Sequence, residues 1–470
     1  MRAFLDRVKR NRQARWGAVA AVVMVSGMLV VVGLWSADDP KAAEPSPTST
    51  ATAKPTATRT ATPTTSPTPV RWAGILDGAA MSEEEWNARK DLLPLAVMID
   101  NTPSSVPQAG IGNADLVYEA FVEGGITRLM AVFWRHDADL LMPVRSARTP
   151  FVIWVDELGA LYAHAGSADT NNDADATGQL AAWGIFDLNA FTPGPSTAYY
   201  RDNQRYAPYN LATSTQWLRE AADRLGYAGP PRVEPWKFKA DKEGTAALPR
   251  AGAIQVSFQE RVVNWQTVQW HWDEPSNTYL RFQFGAPVVD SVTNGQVQFK
   301  NVVVMRVSWA VVDSNGHVLL DQFGTGEATV FLDGRAMAAT WKKDDRQGRT
   351  RFFDASGNEV AFNRGPIWIE VVGPASEITV AESVGDIPAL PQYVPPPPGA
   401  VPETPDEEPT AATPEPTEAP TATPTSGASP TASPTTAGSA TPETRTPSPT
   451  AEATPATPQA SVTASATAGN

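Results

Sequence analysis

The stretch "DLVYEAFVEGGITRLMAVFW" (residues 115–134) consists of two apolar segments that meet at the pair Gly124-Gly125. Such a pair accepts the positive φ angles of a two-residue turn, so the stretch predicts an antiparallel hairpin. With a two-residue loop, Glu119, Glu123 and Arg128 share one face, while the opposite face is nearly all apolar. One face therefore forms core. Because buried charges are costly unless they are paired, the three charges form either a salt bridge at the rim or part of a polar site.

The hairpin lies in a region of mixed strands and helices, residues 71–240, which predicts an α/β domain. Buried strands are expected at "PLAVMID" (94–100) and "ALYAHAG" (160–166). A helix is expected to start near Ser146, although Pro150 limits where its first turn can lie.

The clearest helix signal is "TSTQWLREAADRLGY", which begins at Thr213. Thr213 with Gln216 resembles a capping box, and Gly226 is a typical terminator. The spacing places Trp217 and Leu218 on the apolar face of this helix.

Residues 241–390 change character and predict a mostly antiparallel β domain. Short alternating segments are separated by turn sequences such as "SNG" (314–316). The aromatic run "NWQTVQWHW" places Trp265, Trp270 and Trp272 on an early strand, where packing in the core or between domains is favoured over binding of sugars. The fold class is therefore α+β, with an α/β domain followed by a β domain.

The flanking segments predict a protein that is anchored in a membrane. Residues 1–15 carry six basic side chains and one acid, and residues 16–35 are 20 uncharged, mostly apolar residues. That length spans a bilayer, and the basic flank is expected to stay in the cytoplasm. Residues 36–70 and 391–470 are low-complexity Thr/Pro/Ala sequence, typical of a disordered stalk and an acidic disordered tail.

Composition excludes several classes of function. The 470 residues have a net charge of −14 and no cysteine. Cysteine chemistry, disulfides and thiolate metal sites are therefore absent. The negative net charge disfavours nucleic acid as a partner, because nucleic acid is itself negatively charged.

Several motifs resemble the two-domain family typified by the bacterial lipoprotein YerB. In the first half they are "PLAVMIDN", the hairpin, "PVRSAR", "YAHAGSA" and "YYRDNQRYAPYNL"; in the second half they are "TYLRF", "KNVVV", "GTGEATVFLDGRAMAATWKK", "TRFFDASGNEV" and "IWIEVV". The resemblance implies an extracytoplasmic, membrane-attached protein of unassigned biochemical role. This sequence lacks a cysteine for lipidation, so a transmembrane helix replaces the lipid anchor. Tyr209 stands where the family's "APHNL" has histidine.

The motif "PVRSARTP" (143–150) is the strongest candidate for ligand binding. Arg145, Ser146 and Arg148 lie between a strand and a possible helix start, where guanidinium groups and free N–H groups can bind an anion. Arg128, Glu123 and His164 are expected to shape the same pocket. The alternative is that these arginines bridge to Glu119, Glu123 or Asp100 and hold the domain together.

Metal binding has weak support, and no cofactor is expected. In "DTNNDADATGQL" the oxygen-bearing residues Asp169, Asn171, Asp173 and Asp175 alternate as in a calcium loop. The glycine and the bidentate glutamate that such a loop needs are both missing.

The leading hypothesis is a binding or assembly module for an anionic envelope component. One rival is a hydrolase or transferase acting on wall or phosphate-linked polymers, with Asp100 or Glu119 as general base. A second rival is a structural module that docks another envelope protein. A serine hydrolase has little support, since His164 and Ser167 lie in no G-x-S-x-G turn.

Overall fold

The computed structural model describes residues 70–258 and 266–393. The described residues do not include Trp265, the predicted tail 1–15, the predicted anchor 16–35 or almost all of the two low-complexity segments. Within the described ranges no helix is long and apolar enough to cross a membrane. The α-helices of these ranges are α1 (Glu83–Arg89), α2 (Thr149–Leu158), α3 (Ala176–Trp183) and α4 (Thr215–Arg224).

Apart from five short 3-10 helices, the remaining regular elements of these ranges are strands, most of them short. They are β1 (Leu95–Asp100), β2 (Leu116–Phe121), β3 (Thr127–Phe133), β4 (Leu161–His164), β5 (Phe186–Asn189), β6 (Tyr200–Arg201), β7 (Leu211–Ala212), β8 (Lys237–Lys239), β9 (Ala253–Ser257), β10 (Thr267–Asp273), β11 (Thr278–Gln283), β12 (Ala286–Pro287), β13 (Gln298–Phe299), β14 (Asn301–Arg306), β15 (Trp309–Val311), β16 (Val318–Leu320), β17 (Gly324–Leu332), β18 (Arg335–Lys343), β19 (Arg351–Asp354), β20 (Ala361–Asn363), β21 (Ile367–Val372) and β22 (Glu377–Ala381).

A ten-stranded mixed sheet, in the order β19-β18-β17-β14-β21-β2-β3-β1-β4-β5, forms the centre of the fold. The predicted regions 71–240 and 241–390 both contribute strands to it, and they join where β2 pairs in parallel with β21. The first region carries the helices and the second is largely β, as the α+β prediction requires. The boundary near residue 240 therefore marks a change in composition, while the sheet continues across it.

A second, antiparallel sheet in the order β12-β11-β10-β9-β22, with β13 also paired to β11, packs on one face of the large sheet. The contact runs through aromatic side chains: Trp270 of β10 meets Trp368 of β21 at 5.3 Å between ring centroids. Trp270 is fully buried and Trp272 partly buried, so the predicted core role of these residues is confirmed. Helix α2 covers the opposite face, where Trp154 stacks on Tyr118 at 4.6 Å.

The predicted hairpin exists, but its register differs by one residue from the prediction. Phe121 pairs with Thr127 and Ala120 with Arg128, because the loop is longer than the Gly124-Gly125 pair and closes with Val122 N–H donating to the Ile126 carbonyl (2.8 Å). A shift of one residue moves a side chain to the other face of a sheet. Arg128 therefore lies on the face opposite Glu119, and the predicted placement of both on one face is wrong.

Two helix starts also differ from the predictions. Helix α2 begins at Thr149, three residues after Ser146, with Arg148 as its N-cap and Pro150 in the first turn, where a missing N–H costs nothing. Helix α4 is capped by Ser214, whose hydroxyl accepts from Trp217 N–H at 3.1 Å. Thr213, the predicted cap, instead donates from its hydroxyl to the Ala198 carbonyl at 2.7 Å.

Candidate functional site

The first arginine of "PVRSARTP" is buried and paired. Arg145 is 4% exposed, and its Nε lies 2.7 Å from Asp100 Oδ2. The other carboxylate oxygen of Asp100 accepts from Thr102 N–H at 2.7 Å and from Thr102 Oγ1 at 2.6 Å. Tyr209 lies beside this pair, with its ring centroid 5.8 Å from the Arg145 guanidinium carbon. Burial and then the charge of Asp100 raise the pKa of Tyr209.

The second arginine has a separate carboxylate partner. Arg148 is 8% exposed and donates from Nε to Glu123 Oε1 at 2.7 Å. His317, in the turn between β15 and β16, lies 3.8 Å from the same oxygen. Arg128 Nη1 donates to the carbonyl of half-buried Ser146 at 2.9 Å. Through Arg148 and Ser146 the motif thus contacts the hairpin, at Glu123 in its loop and at Arg128 in β3.

Both arginines therefore match the alternative in which they hold the domain together by bridging to acidic side chains. Two guanidinium groups with buried carboxylate partners at 2.7 Å are already neutralised. An incoming anion would have to displace Asp100 or Glu123. Losing either partner leaves an uncompensated buried charge, which is strongly unfavourable.

Glu119 belongs to a different group of side chains, between the two sheets. Glu119 and Glu370 are direct neighbours on the parallel strands β2 and β21. Arg281 of β11 bridges them, with Nη2 at 2.7 Å from Glu119 Oε2 and Nη1 at 2.9 Å from Glu370 Oε1. We call these three residues the buried Glu-Glu-Arg cluster. Each has at most 1% of its surface exposed.

Burial and then the charge of Glu119 raise the pKa of Glu370 well above its ordinary value, although Arg281 opposes them. We therefore expect the cluster to hold one proton, which leaves one negative charge for one guanidinium. Trp270 Nε1 donates to Glu370 Oε1 at 2.8 Å. Glu119 Oε1 accepts from Asn101 Nδ2 at 2.9 Å and from Thr127 Oγ1 at 2.7 Å.

Neither candidate general base is presented to the surface. Asp100 is 1% and Glu119 0% exposed, and each carboxylate is hydrogen-bonded at both oxygens. A carboxylate that acts on an external polymer has to come within hydrogen-bonding distance of it. The arrangement supports a structural role for both residues.

His164, predicted near the arginine pocket, is engaged elsewhere. Its Nδ1 lies 2.7 Å from the Gly166 carbonyl and its Nε2 2.8 Å from Asp187 Oδ1. Both ring nitrogens face fixed acceptors, and the ring is buried. His164 therefore joins β4 to β5.

The calcium-like loop serves mainly to begin a helix. Asp175 is the N-cap of α3 and accepts from Gly178 N–H at 3.0 Å. Asp169, Asn171 and Asp173 are exposed. In residues 70–258 and 266–393, no three His, Asp or Glu side chains come together as a metal site would require.

The surface-facing part of the α/β region carries a groove that the sequence analysis did not identify. The groove has a volume of about 620 Å³ and is lined by Thr197, Tyr199, Tyr200, Trp217, Glu220 and Arg224. Tyr200 and Trp217 are 42% and 43% exposed, and their rings meet edge to face at 5.6 Å. We call it the Tyr200–Trp217 groove. The prediction that Trp217 lies on the buried face of α4 is therefore wrong, although Leu218 is buried there.

Arginines in and near this groove are bonded to neutral groups. Arg224 donates to Thr197 Oγ1 at 3.1 Å, and Arg201, next to Tyr200, donates to Asn210 Oδ1 at 3.0 Å. Arg205 donates to the backbone carbonyl of Ser105 at 2.9 Å. Unlike the carboxylates of the buried pairs, these neutral acceptors do not neutralise the guanidinium charge. The sequence signal was the run "YYRDNQRY" (199–206), in which aromatic and basic residues flank the polar segment Asp-Asn-Gln.

Comparison with known proteins places the chain among proteins of unknown function. The family model "Protein of unknown function (DUF3048) N-terminal domain" matches residues 78–228, and the model of its C-terminal domain matches residues 255–369. The chain is 25% identical over 305 residues to a Bacillus subtilis (strain 168) protein named "Putative lipoprotein YerB". That alignment covers 62% of this chain and 85% of the relative.

The fold agrees with a solved relative. The crystal structure of the YerB protein from Bacillus subtilis matches with a TM-score of 0.57 and 25% identity, over 66% of this chain and 100% of that one. The similarity therefore includes both matched domains.

Proposed function

Because the chain belongs to the YerB-like two-domain family, described as DUF3048, we propose that it is a membrane-anchored envelope protein that binds an anionic envelope component. The relative carries the name "Putative lipoprotein YerB", and a lipoprotein is attached to a membrane by its lipid. Residues 1–35 of this chain, basic and then apolar, supply an anchor of another kind. The folded region then faces the envelope.

The observation that carries the proposal is the Tyr200–Trp217 groove. Large exposed aromatics are uncommon on a soluble surface, and contiguous ones mark interaction sites. Tyr200 and Trp217 present ring faces and edges on which sugar rings can pack, and Arg224, which also lines the groove, supplies charge for phosphate or carboxylate. The carboxylate of Glu220 also lines the groove, held by Gln216 Nε2 at 2.9 Å.

This groove replaces "PVRSARTP" as the contact surface of the proposed function. Arg145 and Arg148 support the scaffold through Asp100 and Glu123. The loop that carries Tyr209 connects the two places, since Tyr209 lies against Arg145 and the next residue, Asn210, accepts from Arg201.

The test is co-sedimentation of the full-length chain with purified envelope sacculi, either retaining their phosphate polymers or stripped of them. We expect binding to the first kind and weaker binding at high salt, because exposed charges are screened. Trp217→Ala should weaken binding about tenfold or more, the usual effect of removing a central aromatic. Phe191→Ala is the matched control, since Phe191 is an exposed aromatic outside the groove.

The other outcomes separate the rival functions. Release of soluble sugar or phosphate during incubation would identify an enzyme. Equal sedimentation of wild type and Trp217→Ala would reject the groove as the contact. An absence of sedimentation with either kind of sacculus would overturn the polymer proposal and favour docking of another envelope protein.

A further inference from the structure

A second, more enclosed cavity lies between the α/β region and the β region. Its volume is about 320 Å³, at the lower end of the range for small-molecule sites. Its walls come from α2, from α3 with the loop before it, and from β16 with the residues after it. The apolar part of the lining consists of Ile153, Ala182, Trp183, Leu319, Leu320 and Phe323.

Polar atoms without hydrogen-bond partners among the described residues occur in this lining. Gln322 is fully buried, and its Nε2 donates to the Pro150 carbonyl at 3.1 Å, which fixes the orientation of the amide. Its Oε1 has no donor in the described part of the chain. Two further atoms also have no hydrogen-bond partner among these residues: Oγ1 of Thr149, a residue that is 5% exposed, and Oε1 of Gln179. Buried polar atoms are nearly always satisfied, so these three point to a ligand.

The chemistry of these atoms narrows the class of ligand. Both amide oxygens are acceptors, and the carboxylates of Asp173 and Asp175 also line the cavity. A ligand must therefore bring hydrogen-bond donors, and an anion would be repelled. The rest of the wall is aliphatic or aromatic, which favours an apolar group over a sugar with several hydroxyls that need partners.

We propose that this cavity binds a peptide segment with a large apolar side chain, whose backbone N–H groups donate to Gln322 Oε1 and Gln179 Oε1. The side chain fills the space between Ile153, Trp183 and Leu319. This site is separate from the Tyr200–Trp217 groove, and none of its lining residues lines that groove. Its failure would leave the proposed envelope function intact.

The experiment is methyl NMR of the full-length chain in lipid nanodiscs, with labelled Ile, Leu and Thr. Three probes share the leucine side chain and differ in charge and hydrogen-bonding groups: N-acetyl-L-leucinamide, cationic L-leucinamide and anionic N-acetyl-L-leucinate. A methyl glucoside tests the sugar alternative. We expect the two amides to shift the Ile153, Leu319 and Thr149 methyl signals, and the anion to bind about tenfold more weakly.

Two matched variants test whether the amides bind in this cavity. Ala182 is exposed, lies on α3 and lines the cavity, so Ala182→Trp should fill the entrance without disturbing the core. Ala181→Trp adds the same side chain at an exposed neighbouring position that does not line it. Binding of the amides should be lost in the first variant and kept in the second. Equal binding in both variants, no shift with any amide, or stronger binding of the anion or the glucoside would overturn the proposal.

Discussion

The buried Glu-Glu-Arg cluster makes an asymmetric prediction for two neighbouring glutamates. Glu119 and Glu370 are opposite one another on adjacent parallel strands and share Arg281. Because the pKa of Glu370 is raised well above its ordinary value, we expect that residue to carry the proton of the pair. Glu370→Gln replaces a neutral acid by a neutral amide, whose oxygen can still accept from Trp270 and Arg281.

The magnitude follows from proton uptake on folding. Between the ordinary pKa of 4.5 and the raised value, the folded state holds a proton that the unfolded state has lost. The unfolding free energy of the wild type therefore falls as pH rises, by roughly 1.4 kcal/mol per pH unit for this group. Glu370→Gln lacks this proton, so its stability relative to the wild type should increase with pH at that slope.

The matched variant Glu119→Gln should instead destabilise the fold. It removes the carboxylate that lies 2.7 Å from Arg281 Nη2 and places amide hydrogens where Glu119 now accepts from Asn101 or Arg281. Breaking a buried ion pair in this manner costs about 3–5 kcal/mol. The assay is urea unfolding of both variants and the wild type between about pH 5 and pH 8. Parallel pH dependences for Glu370→Gln and wild type, or equal stability of the two variants, would refute the reasoning.

Three further changes test other parts of the fold. Arg148→Ala should lower the unfolding free energy by about 3–5 kcal/mol by leaving Glu123 buried and unpaired, and adding Glu123→Ala should recover part of that loss in a thermal melt; an additive double variant would contradict this. Ser214→Ala should cost about 1 kcal/mol while Ser214→Asp keeps the cap of α4, so equal melting temperatures would exclude Ser214 as the cap. Burial raises the pKa of Glu157, but Lys343 and Arg349 lower it more, so the pKa lies below its ordinary value of 4.5. The contribution of the ionised Glu157 to the unfolding free energy should therefore be present above pH 4.5 and lost as pH falls. Glu157→Gln should then destabilise the protein at neutral pH with a weaker acid dependence, and unchanged acid unfolding would count against the assignment.

Much of the fold follows from local sequence. The strands at "PLAVMID" and "ALYAHAG", the hairpin, and the string of short strands after residue 250 were all predicted from apolar runs and turn residues. The two-domain resemblance also matched the family models and the solved relative. These features depend on neighbours along the chain, which a sequence displays directly.

Other features depend on contacts that the sequence does not display. The hairpin register was missed because Val122 and Ile126 close a longer loop than the Gly124-Gly125 pair suggests, and one residue of error moved Arg128 to the wrong face. The partner of Glu119 is Arg281, distant in sequence and on another sheet. Helical spacing placed Trp217 in the core, but the neighbour that meets it is the exposed ring of Tyr200.

The pairing of the arginines shows why a motif alone could not decide their role. "PVRSARTP" is compatible with an anion site and with two internal salt bridges, and the choice depends on whether Asp100 and Glu123 reach the guanidinium groups. They do, at 2.7 Å in both cases. Arg224, which lines the Tyr200–Trp217 groove, is the better candidate for contact with a polymer.

The most direct test of the envelope function is the fraction of full-length chain that sediments with phosphate-bearing sacculi, measured for wild type, a Tyr200→Ala/Trp217→Ala double variant and Phe191→Ala. We predict that the double variant stays in the supernatant while wild type and Phe191→Ala sediment alike, because only the double variant loses the aromatic surface of the groove. Sedimentation of the double variant at the wild-type level would contradict the account.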